Sequence, residues 1–201
     1  MKAASTQIEW QQGFAKSSIT GLNMAWESAG PADGETIFMV AGLGCQLTMW
    51  NDEFCAPLLQ HGYRLLRFDN RDIGLTDQHP SSMKVNVLAT FIRNKLGLQT
   101  PTNYKLDTMA NDAIGLIDAL ELKRPHLLGI SMGGMISQIV AAKAPEKIGK
   151  LVTLMSSTNN PKLPMPTPNV LHNMFLKKPK SQKIDDVVAH VERVFTAIGS
   201  P

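Results

Sequence analysis

The stretch that decides the fold is HLLGISMGGMISQIVAAK, residues 126–143 of a chain of 201 residues. It opens with a short apolar run at 126–130, which is typical of a buried strand. Ser131 comes next, and residues 132–143 predict a helix that stops before Pro145. A strand, a serine and a helix in direct succession predict a tight turn at the carboxyl end of a strand.

The turn also carries a short motif, because Gly129-Ile-Ser-Met-Gly133 matches the pattern G-x-S-x-G and Gly134 follows it. Chance alone places this pattern in about one in fifteen chains of this length. Its context makes it more specific, since a nucleophile elbow needs a strand before the serine and a helix after it. There the hydroxyl of Ser131 is exposed, and the first N–H group and the dipole of the helix face a developing oxyanion. The alternative is an ordinary glycine-rich turn between a strand and a helix.

The rest of the chain repeats this alternation of apolar strands and amphipathic helices. Strands are predicted at 36–41, 63–68 and 151–155, and helices at 52–60, 106–120 and 184–198. Such an order predicts the α/β class, with a mostly parallel, doubly wound sheet. Four prolines between 161 and 168 interrupt the pattern before the last helix.

Composition excludes several classes of protein. Hydrophobic residues make up 43% of the chain and charged residues 18%, which suits a globular domain. The 20 basic and 17 acidic residues are too balanced to indicate a nucleic-acid partner, and no apolar run is long enough for a membrane span. Cys45 and Cys55 fit neither a redox pair nor a zinc set. Because the N-terminus lacks the apolar core of a secretory signal, we expect a cytoplasmic protein with reduced thiols.

Four segments in order carry a resemblance to a known family: 38–44, 68–74, 106–120 and 128–134. In them the chain resembles the N-terminal part of an α/β-hydrolase fold protein, and most closely the esterase-like subgroup that includes the aclacinomycin methylesterases. The resemblance implies a hydrolase core over 1–158, truncated before the last strands, and a partial helical cap over 159–201. It also implies a serine hydrolase that acts on small-molecule carboxylic esters without a metal or organic cofactor.

The same resemblance assigns the site residues. Ser131 is the expected nucleophile, and the backbone N–H groups of Leu43 and Met132 are the expected oxyanion donors. The family commonly has a His-Gly pair before the first donor, whereas this chain has Ala41-Gly42. A main-chain donor survives that change. The family's Asp-x-Arg-x-x-Gly loop corresponds to Asp69, Arg71 and Gly74, which we interpret as a structural brace.

A serine nucleophile needs a base, and the family places its histidine and acid after the serine, beyond the segments found here. His61 and His126 precede strands, so we expect them at the opposite end of the sheet from Ser131. His79, His172 and His190 have no predicted place beside it either. Some relatives carry the acid after the sixth strand, but this chain reads Ser-Ser-Thr-Asn-Asn at 156–160.

Packing raises a related expectation. If the sheet stops after the strand at 151–155, that strand becomes an apolar edge with unpaired backbone groups, and we expect no later segment to cover the apolar stripe at 184–198. We therefore expect a fragment, a truncated chain or one half of an assembly, completed by a C-terminal chain or by a second copy through the open edge. Two alternatives stay open: an inactive hydrolase-like binding or assembly module, and an enzyme of the same fold that cleaves lactones, amides or carbon–carbon bonds.

Overall fold

The computed structural model describes residues 7–78, 93, 102–158, 160, 162–163, 167–173 and 179–199. These residues fall into two compact units. The first unit contains 7–78 and 102–158 and holds the whole sheet. The second contains the other described residues and consists of helices and connecting segments. The predicted boundary between 158 and 159 stays an interpretation of the resemblance.

The first unit contains six strands and three α-helices among its described residues. The strands are β1 (Gln11–Lys16), β2 (Asn23–Ala29), β3 (Thr36–Val40), β4 (Arg64–Phe68), β5 (His126–Ile130) and β6 (Leu151–Leu154). The helices are α1 (Asp52–Gln60), α2 (Leu106–Ala119) and α3 (Met132–Lys143). The strands and helices predicted from the sequence are all present, with bounds that differ by at most one residue.

The strand order is β1-β2-β4-β3-β5-β6. The four neighbouring strands β4, β3, β5 and β6 run parallel to one another, while β2 is antiparallel to both β1 and β4. This arrangement confirms the predicted α/β class and mostly parallel sheet. The hairpin of β1 and β2 was not predicted from the sequence.

Helices cover both faces of the sheet, as alternating side chains of β3 show. Phe38 and Val40 belong to a core cluster that also contains buried residues of α2 and α3. Ile37 and Met39 belong to a second cluster, which includes Cys55 of α1. Because both faces are covered, the central strands are apolar at successive positions. The parallel strands therefore end together at one rim of a well-packed sheet.

In the second unit the described helices are α4 (Pro168–Leu171) and α5 (Ile184–Ile198). The apolar side chains of α5 are largely exposed, including Ile184, Val187, Val188, Val191, Phe195 and Ile198. In the part of the chain that the structure describes, every helix is too short or too polar to span a bilayer.

Candidate active site

Ser131 sits on the connection between β5 and α3, and its backbone has an unusual conformation. Its φ angle is 53° and its ψ angle is −119°. A positive φ is strained for a residue with a side chain and persists only where the surroundings enforce it. The side chain is exposed, and the residue immediately precedes the first turn of α3. The structure therefore presents a serine hydroxyl to solvent at the carboxyl end of a central strand.

The glycines around Ser131 are required by close contacts. A Cβ atom on Gly129 would lie 2.4 Å from the Gly133 carbonyl oxygen, and one on Gly133 would lie 2.0 Å from the Val40 carbonyl oxygen. Such distances are too short for any side chain. The two motif glycines thus allow α3 to start directly against β3 and β5. The sharp turn predicted from the motif is present.

The segment after β3 passes beside the serine. A Cβ atom on Gly42 would lie 3.6 Å from the Ser131 Cβ atom. The next residue, Leu43, has a side chain that is 63% exposed. Within the described residues, neither the N–H group of Leu43 nor that of Met132 has a hydrogen-bond partner. Two backbone donors without a partner among the described residues therefore belong to the segments that adjoin Ser131.

Two adjacent side chains after β4 anchor the β3 loop, which we define as residues 41–47. Asn70 donates from Nδ2 to the carbonyl oxygen of Ala41 at 3.1 Å. Asp69 accepts from the backbone N–H of Leu47 through Oδ1 at 2.7 Å, and both side chains are buried. The loop is thus held at both ends although it lacks the family's usual histidine. Sequence reasoning named Asp69 as a brace but missed Asn70.

A buried ion pair fixes the next part of the same connection. Arg71 donates from Nε and Nη2 to the two carboxylate oxygens of Asp112 on α2, both at 2.6 Å. The arginine also lies over the ring of Tyr104, 4.9 Å from its centroid. Burial, with Asp72 nearby, raises the pKa of Tyr104 to about 12. Gly74 has a φ of 55°, and a Cβ atom there would lie 2.0 Å from Asp69 Oδ2. The three residues interpreted as a brace, Asp69, Arg71 and Gly74, thus contact other protein groups around the β4 connection.

The histidines of the first unit lie away from Ser131. His126 is the first residue of β5, so five residues of extended strand, about 16 Å, separate it from the serine. Its Nδ1 atom accepts from the Lys150 N–H. His61 follows α1 and places its Nδ1 atom 2.7 Å from the Pro57 carbonyl oxygen. Both sit where the sequence placed them, opposite the nucleophile.

The remaining three histidines lie outside the described part of the first unit. His172 and His190 belong to the second unit, and His79 lies outside the described residues. The described residues also contain no group of three or more His, Cys, Asp or Glu side chains arranged for a metal ion.

The comparison with family profiles covers most of the chain. The profile of the alpha/beta hydrolase fold family matches residues 35–183, which include β3, the β3 loop and the Ser131 turn. The chain belongs to the alpha/beta hydrolase fold family. The matched residues include the whole G-x-S-x-G turn at 129–133.

Curated relatives show how this family member compares with complete enzymes. Rhodomycin D methylesterase of Streptomyces sp. (strain C5) is 27% identical over 125 residues, which are 62% of this chain and 36% of that protein. The 2-hydroxy-6-oxononadienedioate/2-hydroxy-6-oxononatrienedioate hydrolase of Cupriavidus pinatubonensis is 30% identical over 158 residues, 76% of this chain and 48% of that protein. The chain thus spans less than half the length of these two relatives.

Solved structures support the fold. A hydrolase from Pseudomonas aeruginosa superposes with a TM-score of 0.59 at 24% identity, over 90% of this chain and 57% of that one. At this identity the likeness concerns the fold alone.

Proposed function

We propose that this chain carries the nucleophile and the oxyanion donors of a serine hydrolase that acts on carboxylic esters. The observation that carries the proposal is the positive φ of Ser131, an exposed residue whose turn requires glycine at 129 and 133. The N–H groups of Leu43 and Met132 have no partner among the described residues and are the proposed oxyanion donors. The name of the methylesterase relative supports an ester substrate. The name of the second relative shows that members similar to this chain also include a hydrolase of another substrate.

In the proposed reaction the Ser131 oxygen attacks the carbonyl carbon of the ester and loses its proton to a base. The carbonyl oxygen becomes an oxyanion, which accepts hydrogen bonds from the N–H groups of Leu43 and Met132. Collapse of this intermediate expels the alcohol, which takes the proton from the base, and leaves an acyl group on Ser131. Water, deprotonated by the same base, then releases the acid. Each oxyanion donor lowers the barrier by about 3 to 4 kcal/mol.

The base in this scheme is a histidine supplied by a further segment or by a second polypeptide. The motivation is the position of His61 and His126 at the other end of the sheet. A small imidazole molecule can replace a missing histidine when the nucleophile is exposed, as Ser131 is. The proposal therefore has a direct test with the chain as it stands.

The test is hydrolysis of p-nitrophenyl acetate with increasing imidazole, after subtraction of the reaction without protein. We expect the rate to rise with imidazole for the wild type and for Ser18→Ala, which removes another exposed serine hydroxyl. We expect no rise for Ser131→Ala. Equal rates for the wild type and Ser131→Ala at every imidazole concentration would reject the proposal.

The outer edge of β6 supports a second candidate function, which is assembly with another chain. Leu127 N–H donates to Lys150 O, and Ser131 N–H donates to Leu154 O. The backbone N–H and C=O groups of the even-numbered residues here therefore point toward β5. The N–H and C=O groups of Leu151 and Thr153 therefore point away from the sheet. We propose that this edge pairs with a complementing C-terminal chain or with a second copy.

A further inference from the structure

Ser156, which follows β6, contacts the Ser131 turn although it lies outside the G-x-S-x-G motif. Its hydroxyl donates a hydrogen bond to the carbonyl oxygen of Ser131 at 2.8 Å. The same carbonyl oxygen accepts from the N–H groups of Gly134 at 3.0 Å and Met135 at 3.3 Å. The Ser131 carbonyl oxygen thus accepts three described hydrogen bonds, and one of the donors comes from the segment that follows β6.

The carbonyl of Ser131 and the N–H of Met132 belong to one planar peptide group. A hydrogen bond to the oxygen draws electron density toward it and makes the N–H group of the same peptide a stronger donor. It also fixes the orientation of the plane and hence the direction of the N–H group. Met132 N–H is the unpaired donor assigned to the oxyanion in the proposed function, so Ser156 acts on that donor through the peptide.

The backbone around Ser156 is built to make this contact. Met155 has a φ of 45°, a strained value for a residue with a side chain. Ser131 N–H is held by the Leu154 carbonyl oxygen at 2.9 Å, just before this reversal. Gln138 of α3 donates to the Ser157 carbonyl oxygen at 3.0 Å, just after it. The residues on both sides of Ser156 are therefore hydrogen-bonded to the Ser131 turn or to α3.

Gly134 gives an independent indication, because the G-x-S-x-G motif does not require it. A Cβ atom on Gly134 would lie 2.5 Å from the Ser156 Oγ atom and 2.6 Å from its Cβ atom. A larger residue at 134 would push the hydroxyl away from the Ser131 carbonyl. The second glycine of the Gly133-Gly134 pair therefore makes room for Ser156.

We infer that Ser156 is a positioning residue, which orients and polarises the Ser131–Met132 peptide so that the Met132 N–H serves as oxyanion donor. The inference rests on the proposed function for its catalytic consequence. The effect of Ser156 on the Met132 amide itself does not depend on the proposed function and can be measured separately.

The first arm of the test measures the Met132 amide by ¹⁵N–¹H NMR in the chain as it exists. In Ser156→Ala we expect the Met132 ¹⁵N resonance to move upfield, because the polarising bond is lost. Gly134→Ala is expected to move it in the same direction by displacing the hydroxyl. Thr158→Ala removes an exposed hydroxyl two residues after Ser156 that has no described partner, and it is expected to leave the Met132 ¹⁵N resonance unmoved. An unmoved resonance in Ser156→Ala overturns the inference.

The second arm measures the rate at which a fluorophosphonate labels Ser131 with imidazole present. Ser156→Ala is expected to label about three- to tenfold more slowly than the wild type, with saturation at the same probe concentration, since a weakened donor affects the transition state. Ser156→Thr keeps the hydroxyl and is expected to recover at least part of the rate. An unchanged rate in Ser156→Ala overturns the inference. If the wild type does not label, the proposed function fails and the amide resonance alone decides the role of Ser156.

Discussion

At the residue scale, Ser131 and its glycines show what a short motif can predict. Gly129 and Gly133 touch backbone atoms so closely that no other residue fits, and this steric requirement is visible in the sequence as a fixed spacing. Asn70 and Ser156 were not predicted. Each acts by one hydrogen bond to a carbonyl oxygen that is distant in the chain, and such a bond leaves no spacing pattern.

Substitution of Gly133 tests this steric requirement. We expect Gly133→Ala to lower the free energy of unfolding by about 2 to 3 kcal/mol, because its Cβ atom meets the backbone of Val40, which cannot rotate away. The matched control is Gly42→Ala, whose Cβ atom would have ordinary contacts at 3.5 and 3.6 Å. Urea denaturation followed by circular dichroism measures both. Equal midpoints for the two variants would contradict the packing described.

The two cysteines provide a second test at this scale. Burial raises the pKa of the Cys55 thiol to about 11, so at pH 8 only about one molecule in a thousand carries a thiolate there. Burial also raises the pKa of Cys45, which is only partly buried. We expect iodoacetamide at pH 8 to modify Cys45 slowly and to spare Cys55 until urea unfolds the chain. Mass spectrometry of the peptides measures this, and rapid alkylation of native Cys55 would contradict it.

At the scale of elements, the helices and parallel strands were predicted because each carries its own apolar period. The hairpin of β1 and β2 was not, since only two of the six residues of β1, Phe14 and Ala15, are hydrophobic, and every position of the strand is exposed or half-buried. Its partner contact is specific: a Cβ atom on Gly13 would lie 2.6 Å from the Trp26 ring. Pairing between strands, rather than the pattern of β1 itself, decides that element.

The ion pair between the β4 connection and α2 gives a prediction at this scale. Asp112→Asn leaves the buried Arg71 without its counter-charge, and we expect a loss of about 3 to 5 kcal/mol in the free energy of unfolding. Asp107 lies on the same helix as Asp112, and Asp107→Asn breaks its solvent-exposed pair with Lys143 of α3, which is expected to cost less than about 1 kcal/mol. Urea titrations of both variants check the contrast. Similar losses for the two would contradict it.

A pH dependence follows from the start of α1. The Ile8 N–H and then the Trp10 indole donate to Asp52 and hold the pKa of its carboxyl group below the ordinary value. A lowered folded-state pKa contributes stability above the unfolded-state pKa, and this contribution is lost as pH falls through the folded-state value. We expect Asp52→Asn to be less stable than the wild type at pH 7, with the difference shrinking below about pH 4.

The measurement is the urea midpoint of the wild type and Asp52→Asn across this pH range. Glu53→Gln is the control, because this neighbouring carboxylate lies in the same first turn of α1 and is exposed. A stability difference for Asp52→Asn that stays constant down to pH 2 would contradict the assignment.

At the scale of the whole molecule, the sequence predicted the α/β class, the four parallel strands and the rim at which we propose the site. It could do so because parallel strands bury both faces and place their carboxyl ends together. The source of a base could not be predicted, because none of the histidines in the sequence had an expected place beside Ser131. The chain spans 36% of the methylesterase relative, and its β6 edge exposes Leu151 and Val152 by 37% and 49%.

The open edge leads to an expectation about assembly. If β6 pairs with another chain, Val152→Lys should weaken that pairing, because it places a charge on the exposed face of the edge strand. We expect light scattering to show a complex or dimer for the wild type and a smaller species for Val152→Lys. Ile19→Lys changes an exposed apolar residue outside the edge and serves as the control. A monomeric wild type would contradict the assembly proposal without affecting Ser131.

The central claim is that the Ser131 hydroxyl is a nucleophile held by a strained turn. Its most direct measurement is the site of covalent labelling by a fluorophosphonate, mapped by peptide mass spectrometry with and without imidazole. The account predicts one adduct, on Ser131, that increases with imidazole and disappears in Ser131→Ala. An unlabelled Ser131 under both conditions, or an equal adduct yield in Ser131→Ala, would contradict it.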